Sequence, residues 1–505
     1  MEPTGFSHWL VVLVETFAVL FVLLLAIAIL VVLVTWVVDR NQTHNSVLRN
    51  YPVIGHFRYW FLHLGEFFRQ YLYSSDRQEM PFNRAQRMWV YRAAKNAENT
   101  NAFGSTRDLH LEGVPFFVNA AFPALGQTHV KPQPVRIGPY ARQPYDHAAF
   151  FNISAMSFGS LSAPAVRALS IGAAKAGIWL DTGEGGLSPY HLEGGCDIVF
   201  EIGTAKYGVR TPDGKLDDEK LLAICAHQQV KMVSIKLGQG AKPGMGGLLP
   251  AVKVTPEIAA IRGIPVGQDS QSPNRHLDIG NVRELMDAIG HIRDLTGKPT
   301  GFKAVFGGTA WIEELCDEIS RRGMESAPDF IVIDGSEGGT GAAPQTLMEG
   351  VGLPLREALP ALVNLLMQRG LRERIKVICS GKCITAYDVA WAMSMGADFV
   401  NSARGFMLAL GCIQSLQCNR NTCPTGITTQ NTRLQRGLVV TDKGERVANY
   451  ARNVMHEVGI IAHSCGVDDP RELDRTHCRV MGVDGVSVPL VKLFPYPPVA
   501  AVNRA

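Results

Sequence analysis

The chain has 505 residues, 46% of them apolar and 19% charged, a balance that excludes both a disordered protein and a polytopic membrane protein. A formal charge of +3 is too small to point to a nucleic-acid partner, and ten cysteines over this length do not make a disulfide scaffold. Fifty glycines suit tight loops where backbone approaches a ligand.

From Thr16 to Val38 there is no charge, and these 23 residues, as a helix, span about 34 Å, enough for one membrane crossing. Trp9 and Trp36 fall near its ends, where indoles favour the interface. No Lys or Arg precedes it, whereas Arg40, Arg49 and Arg58 follow, so residues 1–40 are expected to be a single-pass anchor that leaves the rest on the cytoplasmic side. Next, Phe57, Trp60, Phe61, Leu64, Phe67, Phe68, Tyr71 and Leu72 recur at steps of three and four, with Arg58, His63, Glu66, Arg69 and Gln70 opposite. This predicts an amphipathic helix whose aromatic side packs on protein or lies on lipid. Residues 76–145 are rich in Pro and lack a sustained period, so 41–145 reads as that helix followed by an irregular covering segment.

From Phe150 onward, short β-rich runs alternate with helical stretches. Eight runs stand out: Phe151–Ser154, Ile178–Asp181, Asp197–Gly203, Met232–Gly238, Gly301–Val305, Phe330–Gly335, Lys376–Gly381 and Phe399–Arg404. Apolar strands separated by helices mean a parallel sheet, and eight units predict a closed (β/α)₈ barrel over 146–440. No complete GxGxxG string follows a strand, so a nicotinamide-binding Rossmann domain is not expected. Residues 441–505 read as a helix containing Arg446, Tyr450, Val454 and Val458 followed by a Pro-rich tail.

The chemistry-bearing strings lie past the strand ends, where barrel enzymes place their sites. Cys412, Cys418 and Cys423, the last before Pro424, are three soft ligands within twelve residues and suit an iron–sulfur cluster. Gly381 and the run Ser402-Ala403-Arg404 sit where barrels bind phosphate through backbone N–H groups, implying a phosphorylated cofactor. Ser154, Ala155, Met156 and Ser157, at the first strand end, could lie against a flat ring. Lys303 is a lone cation in a strand that should be buried and needs an anionic partner, either a reduced flavin edge or a structural carboxylate. Gln239 and Lys242 in a glycine-rich loop, with Arg262 on the helix after it, suit a dicarboxylate.

Together these strings resemble the synthase domain of glutamate synthase, and more closely the stand-alone FMN-binding glutamate synthase family. The resemblance rests on Ile153–Gly159, Asp181–Gly186, Gln239–Gly247, Gly335–Pro344 and the region Gly411–Gln430. It implies a barrel holding FMN, a [3Fe–4S] cluster on Cys412, Cys418 and Cys423, and 2-oxoglutarate or a similar 2-oxo acid gripped by Gln239, Lys242 and Arg262. The implied reaction is reductive amination, with Lys303 stabilising reduced flavin and Lys242 and Glu184 as catalytic groups. Met245, Leu248 and Asp181 depart from the family's Glu, Gln and Asn. No glutamine-hydrolysing nucleophile domain is recognised, so ammonia or an amine is expected from an external supplier, and electrons from a reductase subunit or a ferredoxin-like protein. The alternatives are a flavin enzyme for another amine or a 2-hydroxy acid, and a membrane-tethered electron-transfer or assembly protein.

Overall fold

The computed structural model describes residues 5–43, 45–97, 100 and 102–498. The side chains of Glu66 and Phe67 lie outside the described set, as do residues 1–4 of the anchor segment and 499–505 of the tail. The chain divides into two compact units, residues up to Ala85 and residues from Gln86 onward. In the first, a 37-residue helix covers Gly5–Asn41 and contains the expected uncharged run; its stretch His8–Asn41 is long and apolar enough to cross a membrane. A second helix, Gly55–Phe68, continues as a π-helical turn, Arg69–Tyr73.

The second unit is built on eight parallel strands closed into a barrel: β1 Phe151–Ile153, β2 Leu180–Asp181, β3 Ile198–Ile202, β4 Val230–Lys236, β5 Thr300–Val305, β6 Phe330–Asp334, β7 Lys376–Ser380 and β8 Phe399–Ser402. Each lies within or beside a run read from the sequence. Helices return the chain between strands. Ser162 caps the first, Ala163–Ala176, by accepting from Ala165 N, and Gly177 ends it in the left-handed region.

Paired residues in a parallel ladder point to the same side of the sheet, so register decides what fills the barrel. Asp181 pairs with Val199 and Val199 with Met232, while Val332 pairs with Ile378 and Ile378 with Phe399. Val199, Met232, Val332, Ile378 and Phe399 pack with Trp179, Phe330, Ile137 and Tyr145 into one buried apolar cluster, which places this register inside. Ile137 and Tyr145 come from an antiparallel hairpin, Val135–Ile137 with Tyr145–His147, and Tyr145 OH donates to Asp197 at 2.7 Å. Further along the same strands the inward positions are Glu201, Ser234, Lys236, Lys303, Asp334, Ser380 and Asn401. The barrel therefore changes from apolar to charged along its axis, towards the strands' C-terminal ends.

Two regions carry more regular structure than the sequence suggested. The segment read as irregular holds the helix Arg84–Ala94 and three strands, Pro115–Phe117, Val135–Ile137 and Tyr145–His147, each too short to show an alternating pattern. The helix read as opening a tail, Val440–Cys465, belongs to the barrel's outer ring: it buries Val447, Tyr450, Val454 and Val458 and packs on Ala163–Ala176. The tail beyond it forms strands Cys478–Met481 and Ser487–Pro489, which join Pro115–Phe117 in a sheet.

The crossing of the two long helices depends on Gly172, where an added Cβ would overlap Val447 Cγ1 and come within 2.6 Å of Gly444 O. Overfilling a packed contact costs about 1–3 kcal/mol. Gly172→Leu is expected to lower unfolding stability by that order in chemical denaturation, and an unchanged midpoint would show that the helices can separate freely.

Candidate active site at the barrel mouth

The loops after β1, β2, β4, β6, β7 and β8 meet over the charged layer. The β2 loop reaches the β1 loop through Gly183, whose φ is +63° and whose added Cβ would lie 2.7 Å from Ser157 N. The β4 loop reaches the β6 loop through Gly240. A Cβ there would overlap Gly335 O, and Gly240 N donates to Asp334 Oδ2 at 2.8 Å. Any side chain at either glycine would drive two strand-end loops apart.

Three cations meet around Glu184 in the β2 loop. Lys236 Nζ, at the end of β4, lies 3.0 Å from Glu184 Oε1 and donates to Gln239 Oε1 at 2.7 Å. Burial acts to raise the Glu184 carboxyl, but Lys236, then Lys242 and Arg262, hold it below its ordinary value. It is therefore ionised at neutral pH. Burial pushes the Lys242 ammonium down to about 8, with Glu184 opposing. Lys242 donates to Ala342 O at 3.1 Å, and Arg262 Nη2 donates to Phe158 O at 3.1 Å. Arg262 also lies over the Tyr207 ring, 5.2 Å from its centroid, and its Nε is buried with no hydrogen-bond partner. The structure thus brings together Gln239, Lys242, Arg262 and Glu184, with Lys236 as a member that sequence reasoning missed.

Deeper in the barrel, Lys303 meets protein carboxylates. Its Nζ is 3.7 Å from Glu201 Oε2, an ion pair beyond hydrogen-bonding distance, and both Glu201 oxygens are buried without a hydrogen bond. Burial acts to lower Lys303, but Glu201, then Asp334 and Asp181, outweigh it and hold the ammonium above its ordinary value. Burial pushes the Asp181 carboxyl up to about 8, and the neighbouring Glu201 adds to the rise. Ser234 Oγ, Asp334 Oδ1 and Asn401 Oδ1 are likewise buried and unpartnered. This set of unused polar atoms lines the barrel below its mouth, where a polar ring edge could satisfy them. Glu201 and Asp334 carried one available signal: each is a charge inside an otherwise apolar strand.

A small cleft opens between the β7 and β8 ends, lined by Ser380–Ile384, Asn401–Arg404 and Gly339. It contains four of the residues read as phosphate-binding: Gly381, Ser402, Ala403 and Arg404. The helix Arg404–Leu410 begins here, and its first turn has amide N–H groups without helical acceptors. Burial lowers Arg404, whose Nη2 donates to Glu337 O at 2.6 Å. Ser154 N donates to Ser402 O at 3.1 Å, so the β1 end with Ala155, Met156 and Ser157 adjoins this cleft.

The cysteine loop starts at Gly411, where φ of +110° ends that helix. Tyr91 OH donates to Cys412 O at 2.6 Å, and Lys253 Nζ donates to Cys418 O at 2.7 Å and to Ser160 O at 3.1 Å. Burial pushes the Cys412 thiol up to about 12, with Cys418 and Cys423 adding to the rise, so the three sulfurs are close enough to feel one another's charge. Among the described residues no three His, Cys, Asp or Glu side chains close around a single-ion position. A cluster of several irons holds its cysteines further apart than one ion does, and three thiols on one loop are the donor set such a cluster takes. Cys379 and Cys383 are buried.

A closed parallel barrel with a charged mouth roofed by strand-end loops is the arrangement found in (β/α)₈ enzymes. Residues 133–468 match the model of the conserved region in glutamate synthase. The glutamate synthase large subunit-like protein YerD of Bacillus subtilis is 39% identical over 91% of this chain and 94% of its own length. The chain belongs to the glutamate synthase family of oxidoreductases. The archaeal glutamate synthase [NADPH] of Methanocaldococcus jannaschii is 34% identical over 66% of this chain, which spans 62% of that protein. The glutamate synthase [NADPH] large chain of B. subtilis is 32% identical, and the match covers only 19% of it. Among solved structures, the flavin-binding domain of baker's yeast flavocytochrome b2 aligns over 86% of this chain and 89% of its own, with 12% identity and a TM-score of 0.45.

The sign of the Asp181 shift gives a test. A carboxyl raised by burial favours folding while protonated, so its contribution is whole below the ordinary value near 4 and is lost as pH rises towards about 8. The stability advantage of Asp181→Asn over the parent is expected to grow between pH 6 and 8 and level off above. A difference that stays constant with pH in thermal melts would contradict the shift.

Proposed function

We propose that the chain is a glutamate-synthase-like FMN and iron–sulfur oxidoreductase that aminates 2-oxoglutarate or a similar 2-oxo acid with ammonia or an amine supplied from outside. The observation that carries this reading is the gathering of Lys242 and Arg262 around Glu184, with Gln239 joined to it through Lys236, at a barrel mouth that also holds the cleft between β7 and β8. Family membership supports it.

In this reading the cleft at Gly381 and Ser402–Arg404 holds the FMN phosphate, and Ser154, Ala155, Met156 and Ser157 border the ring. Glu201 would offer its unpartnered oxygens to a ring N–H, and Lys303 would stabilise the negative charge of the reduced ring. Bound there, FMN supplies hydride transfer, while a [3Fe–4S] cluster on Cys412, Cys418 and Cys423 supplies one-electron exchange with a reductase or ferredoxin-like donor. Gln239, Lys242 and Arg262 bind and orient the two carboxylates of the oxo acid. Glu184, ionised and paired with Lys236, can take a proton released during amination. The helix Gly5–Asn41 spans the membrane once, with the barrel on the cytoplasmic side.

One observation favours a second reading, a tethered electron-transfer protein without amino-acid synthesis. Lys242 and Arg262 already donate to the backbone carbonyls of Ala342 and Phe158, so each keeps only its remaining N–H groups for a substrate.

The two readings separate in anaerobic stopped flow. Reduced protein is expected to be reoxidised by 2-oxoglutarate with ammonium, and not by either alone. Losing one charge-assisted hydrogen bond costs about 1.5–3 kcal/mol, so Arg262→Ala should weaken 2-oxoglutarate by about one to two decades with the flavin spectrum intact. Equal reoxidation with and without the oxo acid, or unchanged turnover in Arg262→Ala, contradicts amination.

A further inference from the structure

The segment between the first helix and the helix Gly55–Phe68 is not a free linker. Asp39, in the last turn of the first helix, is buried although it carries a charge. Its Oδ2 accepts from Val53 N at 2.9 Å and from the His56 ring Nε2 at 2.9 Å. Asn45 caps the short helix Ser46–Asn50 by accepting from Val47 N and Leu48 N, and its Nδ2 donates to Tyr59 OH at 2.9 Å. Gln42 Nε2 donates to Asn45 O at 2.7 Å, and Asn45 N donates to Gln42 Oε1 at 2.8 Å. Arg40 donates to Arg49 O at 3.3 Å. These bonds form an elbow, and they hold the start of the second helix within hydrogen-bonding distance of the end of the first.

That second helix is exposed where it is most apolar. Phe57, Trp60 and Phe61 are 57%, 55% and 60% exposed, and Tyr71 and Leu72 in the π-helical turn are exposed as well. A free-standing row of aromatic side chains in water is costly. Between residues 40 and 73 the chain also carries four arginines, Arg40, Arg49, Arg58 and Arg69, against one glutamate, Glu66. Aromatic rings along one side of a helix, with Arg58 and Arg69 opposite and Arg40 and Arg49 just before it in the chain, match the boundary of an anionic bilayer, where rings sit at headgroup depth and guanidinium groups meet lipid phosphate.

Resting on the reading that Gly5–Asn41 spans the membrane, we infer that the helix Gly55–Phe68 is a second membrane contact, lying in the interface of the leaflet by which the first helix leaves. The occupant of its aromatic face is lipid. The elbow at Asp39 fixes the depth: if the uncharged run ending at Val38 fills the hydrocarbon, Asp39 is at its edge, and Val53 and His56 are held at the same level. The chain then stays at the membrane surface until about Tyr73, rather than leaving it at Arg40.

The test uses full-length protein in nanodiscs containing anionic lipid, with bromine placed either near the headgroup end of the acyl chains or near the bilayer midplane. Emission of Trp60 is taken as the difference from Trp60→Phe, and that of Trp36, on the spanning helix, as the difference from Trp36→Phe. Trp60 is expected to be quenched at least twofold more by shallow than by deep bromine. Trp36 quenched with Trp60 untouched by either lipid overturns the inference and leaves the anchor standing. Neither residue quenched overturns both. Unquenched Trp60 in a chain that cross-links to a second copy through Trp60→Cys assigns the aromatic face to a protein interface and also overturns the inference.

Discussion

Lys303 and the carboxylates around it set the terms for the rest of the barrel. An ammonium and three carboxyl groups buried in one layer cannot all stay charged without compensation, because each desolvated ion costs several kcal/mol unless paired. The structure answers in two ways: Lys303 is held protonated by Glu201, Asp334 and Asp181, and Asp181 is pushed towards its neutral form. The layer remains polar, with unused acceptors on Glu201, Asp334 and Asn401, directly below the loops that carry the other site residues. An interior filled with aliphatic side chains to the top would be more stable and would have nothing to offer a polar ring.

The loops depend on that layer. Asp334 ends β6 inside the barrel and also holds Gly240 N, so the same carboxylate that faces Lys303 positions the loop bearing Gln239 and Lys242. Lys236 ends β4 and ties Glu184 to Gln239. Arg262 fastens its helix to the β1 loop through Phe158 O. The mouth is therefore a network in which substrate-binding candidates, ring-facing candidates and barrel charges share partners, and a change at one member is felt at the others.

Much of this frame is legible in the chain because long apolar runs between glycines and helical stretches leave one arrangement, a closed parallel barrel. The strand ends could be read, and with them Gly381, Ser402, Arg404, Gln239 and Lys242. The inward carboxylates could not. Whether Glu201 faces the core or a helix turns on a single residue of register, which only the pairing with Ser234 settles. Lys303 was visible as a cation needing a partner, but that partner, Glu201, lies two strands earlier in the chain. The integration of Val440–Cys465 was hidden for the same reason, since it rests on Gly172 meeting Val447 and Gly444.

On the reading proposed above, the barrel holds FMN by its phosphate and ring edge together with a thiolate-bound cluster. Cofactor content of the full-length chain, purified anaerobically in detergent, tests it most directly. Mass spectrometry of the released chromophore and iron analysis should give about one FMN and about three irons per chain, with an electron paramagnetic resonance signal of a three-iron cluster in the oxidised state. FAD in place of FMN, zinc in place of iron, or protein that folds and binds no flavin would contradict the account.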